Sequence, residues 1–274
     1  NYFYKRRYAG SGDRRYIANF VYTTLRNYFK YINICKTYNF KPTPRNLILI
    51  SYCLNVKNTE EINKLFVGKY CLIKNDVDQL IITKLIGLKV QLSFDLPKWL
   101  MYEAERSFKD DTKAVLNALL KESNVDLRVN TLKCSRDKVI NIIKDSGYEV
   151  FLTPFSPLGL RLGKRISSDF LSSIRGSLVE LQDEGSQMVT RLIGAEEGFT
   201  VLEMCAGRGG KTLALWAEMN AKGRLIATDI SYTRLAMLEH RIKKLGFKDI
   251  EVKRSCRGLE KLCDIVVLDV PCSG

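Results

Sequence analysis

The apolar run from Phe199 to Met204 leads directly into Cys205-Ala-Gly-Arg-Gly-Gly-Lys-Thr212, a loop of small residues that opens a helix. A strand, a glycine turn and a helix start, in that order, let backbone N–H groups approach a ligand that side chains would exclude. This is the build of a nucleotide-cofactor loop. Asp229 follows 22 residues after Gly207, and the chain then reaches Asp269-Val-Pro-Cys-Ser-Gly274.

Two other phosphate-binding loops fail at one required position each. A Walker A loop counted back from Gly210-Lys211-Thr212 puts Cys205 where its first glycine belongs. A dinucleotide fingerprint would run Gly207, Gly209, Thr212, without the third glycine that close helix–strand packing needs. Asp229 closes the next apolar run, where an acidic residue accepts hydrogen bonds from ribose hydroxyls. The competing reading is a carboxylate that caps the helix beginning at Ser231. Lys211, in a glycine-rich loop, is expected to meet a carboxylate or phosphate.

The chain around this loop alternates strand and helix patterns: Phe199–Met204, a helix Lys211–Met219, Arg224–Asp229, a helix Ser231–Leu245 closed by Gly246, then Asp249–Lys253 and Asp264–Asp269. Such alternation specifies a doubly wound, mostly parallel sheet with its ligands at the carboxyl ends of the strands. Ile265-Val-Val-Leu268 is continuously apolar, as in a strand covered on both faces and flanked on both edges. With nothing beside it, that strand is an exposed edge, so the sheet is expected to be incomplete.

Upstream the rhythm differs. Helical periodicity runs from Asp13, read as a cap after Gly10-Ser-Gly12, and again from Thr43-Pro44, Thr59, and Asn75-Asp-Val-Asp. Residues 1–92 are therefore expected to form an all-helical domain. Residues 93–180 read as a helical linker and a small α/β module: Leu127–Leu132 alternates like a strand, Ser135 caps a helix, and Tyr148–Leu152 resumes a strand. Alternation puts Arg128 and Asn130 on one face, and Pro154–Arg165 reads as a turn-rich basic connector. Residues 181–274 form the cofactor domain, giving a multidomain α/β chain.

The 274 residues carry a formal charge of +14, concentrated at the amino end, where residues 1–45 hold ten Lys/Arg against Asp13 alone. A polyanion is the expected partner. Nucleic acid is favoured over a membrane, because no apolar run approaches the ~18 residues of a spanning helix. Tyr2, Phe3, Tyr4, Tyr8 and Tyr16 interleave with these charges, which suits base stacking, although those at helical spacing are expected mostly in the core. The plainer alternative is a solvated basic face. Eight scattered cysteines without a Cys-x-x-Cys pair, and one histidine, His240, argue against a structural metal site. Unpaired thiols and the lack of a secretory opening imply a reducing, cytoplasmic setting.

Val201–Thr212 with Asp269-Val-Pro-Cys272 resembles the RNA cytosine-C5 methyltransferases of the Sun/Fmu family, whose loop reads Cys-Ala-(Ala/Gly)-(Pro/Ala)-Gly-Gly-Lys-Thr. Arg6–Arg15, Leu127–Lys133 and Gln182–Gln187 resemble, in the same order, segments of members that carry a NusB-like helical RNA-binding domain and act on small-subunit ribosomal RNA. The resemblance implies a NusB-like domain, a linking module, an incomplete Rossmann-like sheet and S-adenosylmethionine as cofactor. Cys205, Ala206, Gly207, Arg208, Gly209, Gly210 and Lys211 would hold the donor's carboxypropyl end, Asp229 its ribose, and Arg234 would lie beside the adenosine. Arg208 departs from the family's proline or alanine, and Arg254-Ser-Cys-Arg257 stands where members carry an acidic residue. Lys5, Arg6, Arg7, Arg14, Arg15, Arg128 and Asn130 are the expected RNA contacts.

Cytosine C5 is a weak nucleophile, so a thiolate must add at C6 before C5 attacks a methyl donor. Cys272 is the candidate thiol, and the resemblance implies that Asp269 orients or protonates the cytosine N3 edge; Cys205 is expected to face packing. In the family a cysteine at position 272 assists product release, and the nucleophile lies in a later Thr-Cys-Ser segment, absent from this sequence. Residues 1–274 are therefore expected to be a truncated or split enzyme, slow or inactive alone, with a separate C-terminal fragment completing the sheet. Two alternatives are a noncatalytic RNA-binding relic and an enzyme in which Cys272 acts alone.

Overall fold

The computed structural model describes residues 2, 3, 6, 8–56, 58–68, 71–88, 96–163 and 166–271. The chain divides into two compact units, residues 1–122 and 123–274.

The first unit is helical: α1 (Ser11–Arg26), α2 (Tyr28–Thr37), α3 (Pro44–Asn55), α4 (Thr59–Asn63), α5 (Asp76–Leu85), α6 (Lys98–Phe108) and α7 (Thr112–Leu119). Its core joins Tyr31, Ile34 and Cys35 of α2 to Leu47, Ile50 and Cys53 of α3 and Ile81, Ile82 and Leu85 of α5. Caps set the helix starts. Thr43 accepts from Asn46 N at 3.2 Å with Pro44 in the first turn, and Asn75 and Asp78 cap each other reciprocally. The side chain of Asp78 is fully buried and paired with Arg45 through two hydrogen bonds of 3.1 and 2.6 Å. Asp13 is not the N-cap of α1: the helix begins at Ser11, and the Asp13 carboxylate reaches back to Gly10 N at 3.0 Å from the third helical position.

The second unit holds two sheets. The antiparallel sheet has the order β2-β3-β1-β4, with β1 Asp126–Val129, β2 Val150–Leu152, β3 Gly159–Leu162 and β4 Val179–Leu181. Its helices are α8 (Arg136–Asp145) and α9 (Ser168–Ile174), and Leu127, Val129, Val139, Ile143, Leu160 and Val179 form its core. The span 154–165, read from sequence as a connector, contains the interior strand β3. That strand is four residues long and opens on a glycine whose added Cβ would lie 2.0 Å from Thr153 Oγ1, so its signature is steric closeness and not periodicity.

The second sheet is parallel, with the order β7-β6-β5-β8: β5 Thr200–Met204, β6 Arg224–Thr228, β7 Ile250–Lys253 and β8 Ile265–Leu268. The helices α10 (Glu184–Leu192), α11 (Gly210–Glu218) and α12 (Tyr232–Leu245) accompany it, and Trp216, Leu215, Leu225 and Leu238 are almost wholly buried between layers. Among the described residues β8 pairs only with β5. Its Val266 and Leu268 are 54% and 61% exposed, so this apolar strand is an open edge and not the doubly flanked strand its composition implies.

Residues 182–187 join the two sheets. Asp183 caps α10 by accepting from Ser186 N, while buried Glu184 accepts from Phe155 N and Ser156 N at 2.5 and 2.8 Å and meets Arg161. Buried Gln187 bonds Ser156 Oγ and Gln182 O. This polar cluster fixes the antiparallel sheet to the start of the parallel one.

Candidate functional site

In the parallel sheet the strand order reverses beside β5, with β6 and β7 on one side and β8 on the other, and a ligand crevice opens at such a point beyond the carboxyl ends of the strands. A cleft of about 480 Å³ lies there. One wall is the strand end and turn of β5 and α11: Glu203, Cys205, Ala206, Gly207, Gly210 and Lys211, with Asp269 after β8. The facing wall comes from Asn124, Asp126, Gln182, Asp183 and Ser186.

The turn is held from beneath. Asp229 is 7% exposed; its Oδ2 accepts from Gly207 N at 2.8 Å and its Oδ1 from Ser231 N at 2.7 Å, so it holds the turn and the residue that precedes α12 and does not itself cap that helix, whose N-cap is Ser231. Arg241 of α12 donates to the carbonyl of Arg208 and makes a 2.6 Å ion contact with Glu180 of β4, tying the turn to the antiparallel sheet. Gly209 has φ of +82°, and a Cβ there would lie 2.2 Å from Leu238 Cδ1. Gly209→Ala is expected to lower stability by about 1–3 kcal/mol through strain and overpacking, read as a fall in melting temperature; an unchanged melt would contradict this account of the turn.

Gly210, Lys211 and Thr212 begin α11 ahead of its first intrahelical bond, Leu213 N to Gly209 O, so their amides face an anion site. Lys211 Nζ lies 2.6 Å from Asp269 Oδ2. A Cβ at Gly210 would meet nothing within 4 Å, which leaves open space at the cleft wall for a ligand. Glu203, 2% exposed, accepts from Thr212 Oγ1 at 2.5 Å. Burial pushes its carboxyl up to about 7, with Asp269 adding to the rise and the Thr212 hydroxyl and Lys211 opposing it.

Residues 190–274 match the family described as 16S rRNA methyltransferase RsmB/F, and residues 96–169 match the ferredoxin-like domain of RsmF/B-like methyltransferases. Both segments are similar to parts of the RsmB/F methyltransferases. The ribosomal RNA small subunit methyltransferase B of Klebsiella pneumoniae is 31% identical over 183 residues, a stretch covering 65% of this chain and 42% of that protein. The chain thus matches less than half the length of this curated relative. Among solved structures, PH0851 aligns with a TM-score of 0.69 at 20% identity, over 98% of this chain and 68% of that one. NSun6 from Pyrococcus horikoshii with SFG aligns with a TM-score of 0.52 at 22% identity, over 64% of this chain and 71% of that one. Both likenesses concern the fold.

The RsmB/F enzymes use S-adenosylmethionine, and the cleft has the chemistry for it: amides and Lys211 for a carboxylate, buried and exposed carboxylates for cationic groups, and a glycine wall with room beside it. Of the residues expected at this site, Cys205, Ala206, Gly207, Gly210, Lys211 and Asp269 line the cleft together. Cys205 is half-buried at the cleft wall with φ of +60°, not withdrawn into packing. Gly209 is buried behind the turn, and Asp229 lies under it. The side chains of Arg208 and Arg234 are exposed and not part of the cleft lining. Cys272 lies outside the described residues.

The RNA set divides. Arg128 and Asn130 do not reach a surface: both are buried, Arg128 Nε donating to Gln182 Oε1 at 2.7 Å and Asn130 Nδ2 to Ser177 O at 3.0 Å. Alternation did place Arg128 opposite the core face of β1, but α10 covers that second face too. Burial lowers its guanidinium to about 10, with Glu180 opposing and Arg241 reinforcing the fall. In the helical unit Arg14 and Arg15 are exposed, Arg14 Nε bonds Ala9 O, and Arg6 lies 4.0 Å over the Tyr2 ring. Tyr2, Tyr8 and Tyr16 are 59%, 85% and 59% exposed. Lys5 and Arg7 lie outside the described residues.

Sequence reasoning missed Glu203, Arg241 and the facing wall of the cleft. Glu203 carried a signal, a carboxylate inside an otherwise apolar strand. Arg241 carried none, since its partners come from distant segments. Among the described residues no helix is long and apolar enough to cross a membrane, and no group of three or more His, Cys, Asp or Glu side chains is arranged to hold a metal.

Proposed function

We propose that this chain binds S-adenosylmethionine in the cleft at the β5 and β8 strand ends and serves the methylation of cytosine C5 in small-subunit ribosomal RNA. The observation that carries the reading is the convergence of the glycine turn, Lys211, Asp269 and Asp229 at one crevice, each held by a specific bond. The donor supplies an electrophilic methyl group. Lys211 and the α11 amides would hold its carboxylate, Asp229 fixes the turn and retains lone pairs for ribose hydroxyls, and Arg234 is the residue assigned to the adenosine. On the substrate, a thiolate would add at C6, C5 would take the methyl group as the donor leaves as S-adenosylhomocysteine, and a base would remove the C5 proton as the thiolate is expelled, restoring the ring. Cys272 is the thiol assigned to product release, and Asp269 the group at the N3 edge.

Exposed Arg14 and Arg15, with Tyr2, Tyr8 and Tyr16, and Lys5, Arg6 and Arg7 of the same segment, suit phosphate and base contacts in a NusB-like RNA-binding domain. The domain division offered is 1–92, 93–180 and 181–274. The apolar edge of β8 suits pairing with a further strand from a separate C-terminal fragment, and residues 1–274 alone are proposed to transfer methyl groups slowly. The setting is cytoplasmic.

Incubation of the chain with labelled S-adenosylmethionine and unmodified small-subunit ribosomal RNA tests this, with donor binding followed by calorimetry. Donor binding with little 5-methylcytosine is expected. Robust 5-methylcytosine would refute the slow-transfer claim, and RNA binding without donor binding would replace the enzyme reading with the noncatalytic relic.

A further inference from the structure

Arg241 joins two parts of the second unit that lie far apart in the sequence. From α12 it donates through Nη1 to the carbonyl of Arg208 in the glycine turn, and its Nη2 lies 2.6 Å from Glu180 Oε1 of β4 in the antiparallel sheet. Glu180 is 7% exposed and stands in register with buried Arg128 of β1. Arg128 Nε in turn donates to Gln182 Oε1 at 2.7 Å, and Gln182 lines the wall of the cleft that faces the turn. The turn, Arg241, Glu180, Arg128 and Gln182 therefore form one polar chain that links the two walls of the cleft.

The Arg241 contact falls on a peptide that the local backbone does not fix by itself. Arg208 C=O and Gly209 N–H share one plane, and a glycine passes between positive and negative φ at little cost, so this plane can turn over. Two bonds oppose that: Gly209 N donates to Ala206 O at 2.9 Å on one side, and Arg241 holds the carbonyl on the other. Directly after this plane α11 begins, with the amides of Gly210 and Lys211, and a turned plane would re-aim them. We propose that Arg241 is a positioning residue for the methyl donor: it holds the 208–209 peptide so that the α11 amides point at the donor's carboxylate, and through Glu180 it ties that geometry to the seating of the antiparallel sheet. This rests on the cleft being the donor site. An arginine suits both contacts, because its planar fork offers separate N–H groups to a carbonyl and a carboxylate, whereas a lysine ammonium is a single point charge.

Loss of a bond from a charged donor to the turn carbonyl should weaken S-adenosylmethionine binding about tenfold in Arg241→Met. Methylthioadenosine, which lacks the amino-acid end, makes no use of those amides and should bind as it does to the wild-type chain. Arg241→Met also strands the buried Glu180 carboxylate, so the melting temperature falls. Adding Glu180→Gln removes that charge while Arg128 keeps its bond to Gln182, so the double variant should regain part of the melting temperature and none of the donor affinity. Arg241→Lys keeps a cation beside Glu180 without also holding the carbonyl; it should melt near wild type and still bind the donor several-fold more weakly.

Calorimetric titration of the two compounds into the wild-type chain, Arg241→Met, Arg241→Lys and the double variant, with the melting temperature of each, tests the proposal. The expected result is a donor affinity that falls about tenfold while methylthioadenosine affinity holds, and that stays low when the double variant regains stability. Wild-type donor affinity in Arg241→Met would overturn the assignment. Equal weakening of both compounds, or donor affinity that recovers together with the melting temperature, would also overturn it, since either marks a purely structural ion pair. Should Arg241→Met not fold, undiminished donor affinity in Arg241→Lys overturns the assignment in its place. Failure of both compounds to bind the folded wild-type chain would instead remove the donor-site reading, and this assignment with it.

Discussion

Asp229→Ala is expected to weaken S-adenosylmethionine binding by about a hundredfold or more. The side chain is 7% exposed and accepts two backbone N–H bonds, from Gly207 at 2.8 Å and Ser231 at 2.7 Å. Hydrogen bonds to a charged group contribute about 1.5–3 kcal/mol each, so losing both removes about 3 kcal/mol or more from the turn that shapes the cleft. Asp229→Asn separates the effects: it keeps an acceptor oxygen for one amide and loses the other, and should fall between the two. Calorimetry reads the affinities and circular dichroism confirms folding. An Asp229→Ala chain that binds the donor as tightly as wild type would show that the turn does not shape the site.

The largest stability effect is expected far from the cleft, in the helical unit. Asp78 caps α5, accepting from Asn75 N at 2.9 Å, and pairs with Arg45 while its side chain is fully buried. Burial pushes its carboxyl up, but the Arg45 guanidinium, the Asn75 N–H and Lys74 outweigh that and hold it below the ordinary value. Removing Asp78 takes away two charge-assisted bonds and the bond to Asn75 N, about 2–3 kcal/mol once the partial exposure of Arg45 is discounted, and Arg45 would retain its bond to the Ile73 carbonyl. Asp78→Ala should therefore lower the melting transition of the helical unit by about 10 °C or more, seen by calorimetry of the whole chain. Because the folded carboxyl is depressed, its stabilisation is present above the ordinary carboxylate range and is lost as pH falls through the folded value. The difference between wild type and Asp78→Ala should thus shrink in strong acid. A shift below about 3 °C at neutral pH would mean that the pair is replaced by water at little cost.

The parts of the fold legible in the sequence were those set by local chemistry. β5 and β6 announce themselves as contiguous apolar runs because both faces are covered, and Gly246 closes α12 in the left-handed conformation it alone adopts cheaply. β3 and β4 were not legible, since each spans three or four residues and exists through pairing with β1 more than 30 positions away. The same limit explains the site. The glycine turn, Lys211 and Asp229 lie in one stretch of sequence with a pattern, whereas the facing wall and Arg241 join through contacts between distant segments. Arg128 shows the limit most clearly: period-two alternation correctly put it opposite the core of its own sheet, and nothing local revealed that α10 would seal that side as well.

The most direct measurement is a crystal structure of the chain soaked with S-adenosylhomocysteine. The account predicts its amino-acid end between the turn at residues 207–210 and Lys211, with its ribose toward Asp229. A ligand bound elsewhere, or one seated in the cleft without contact to Lys211, would contradict it.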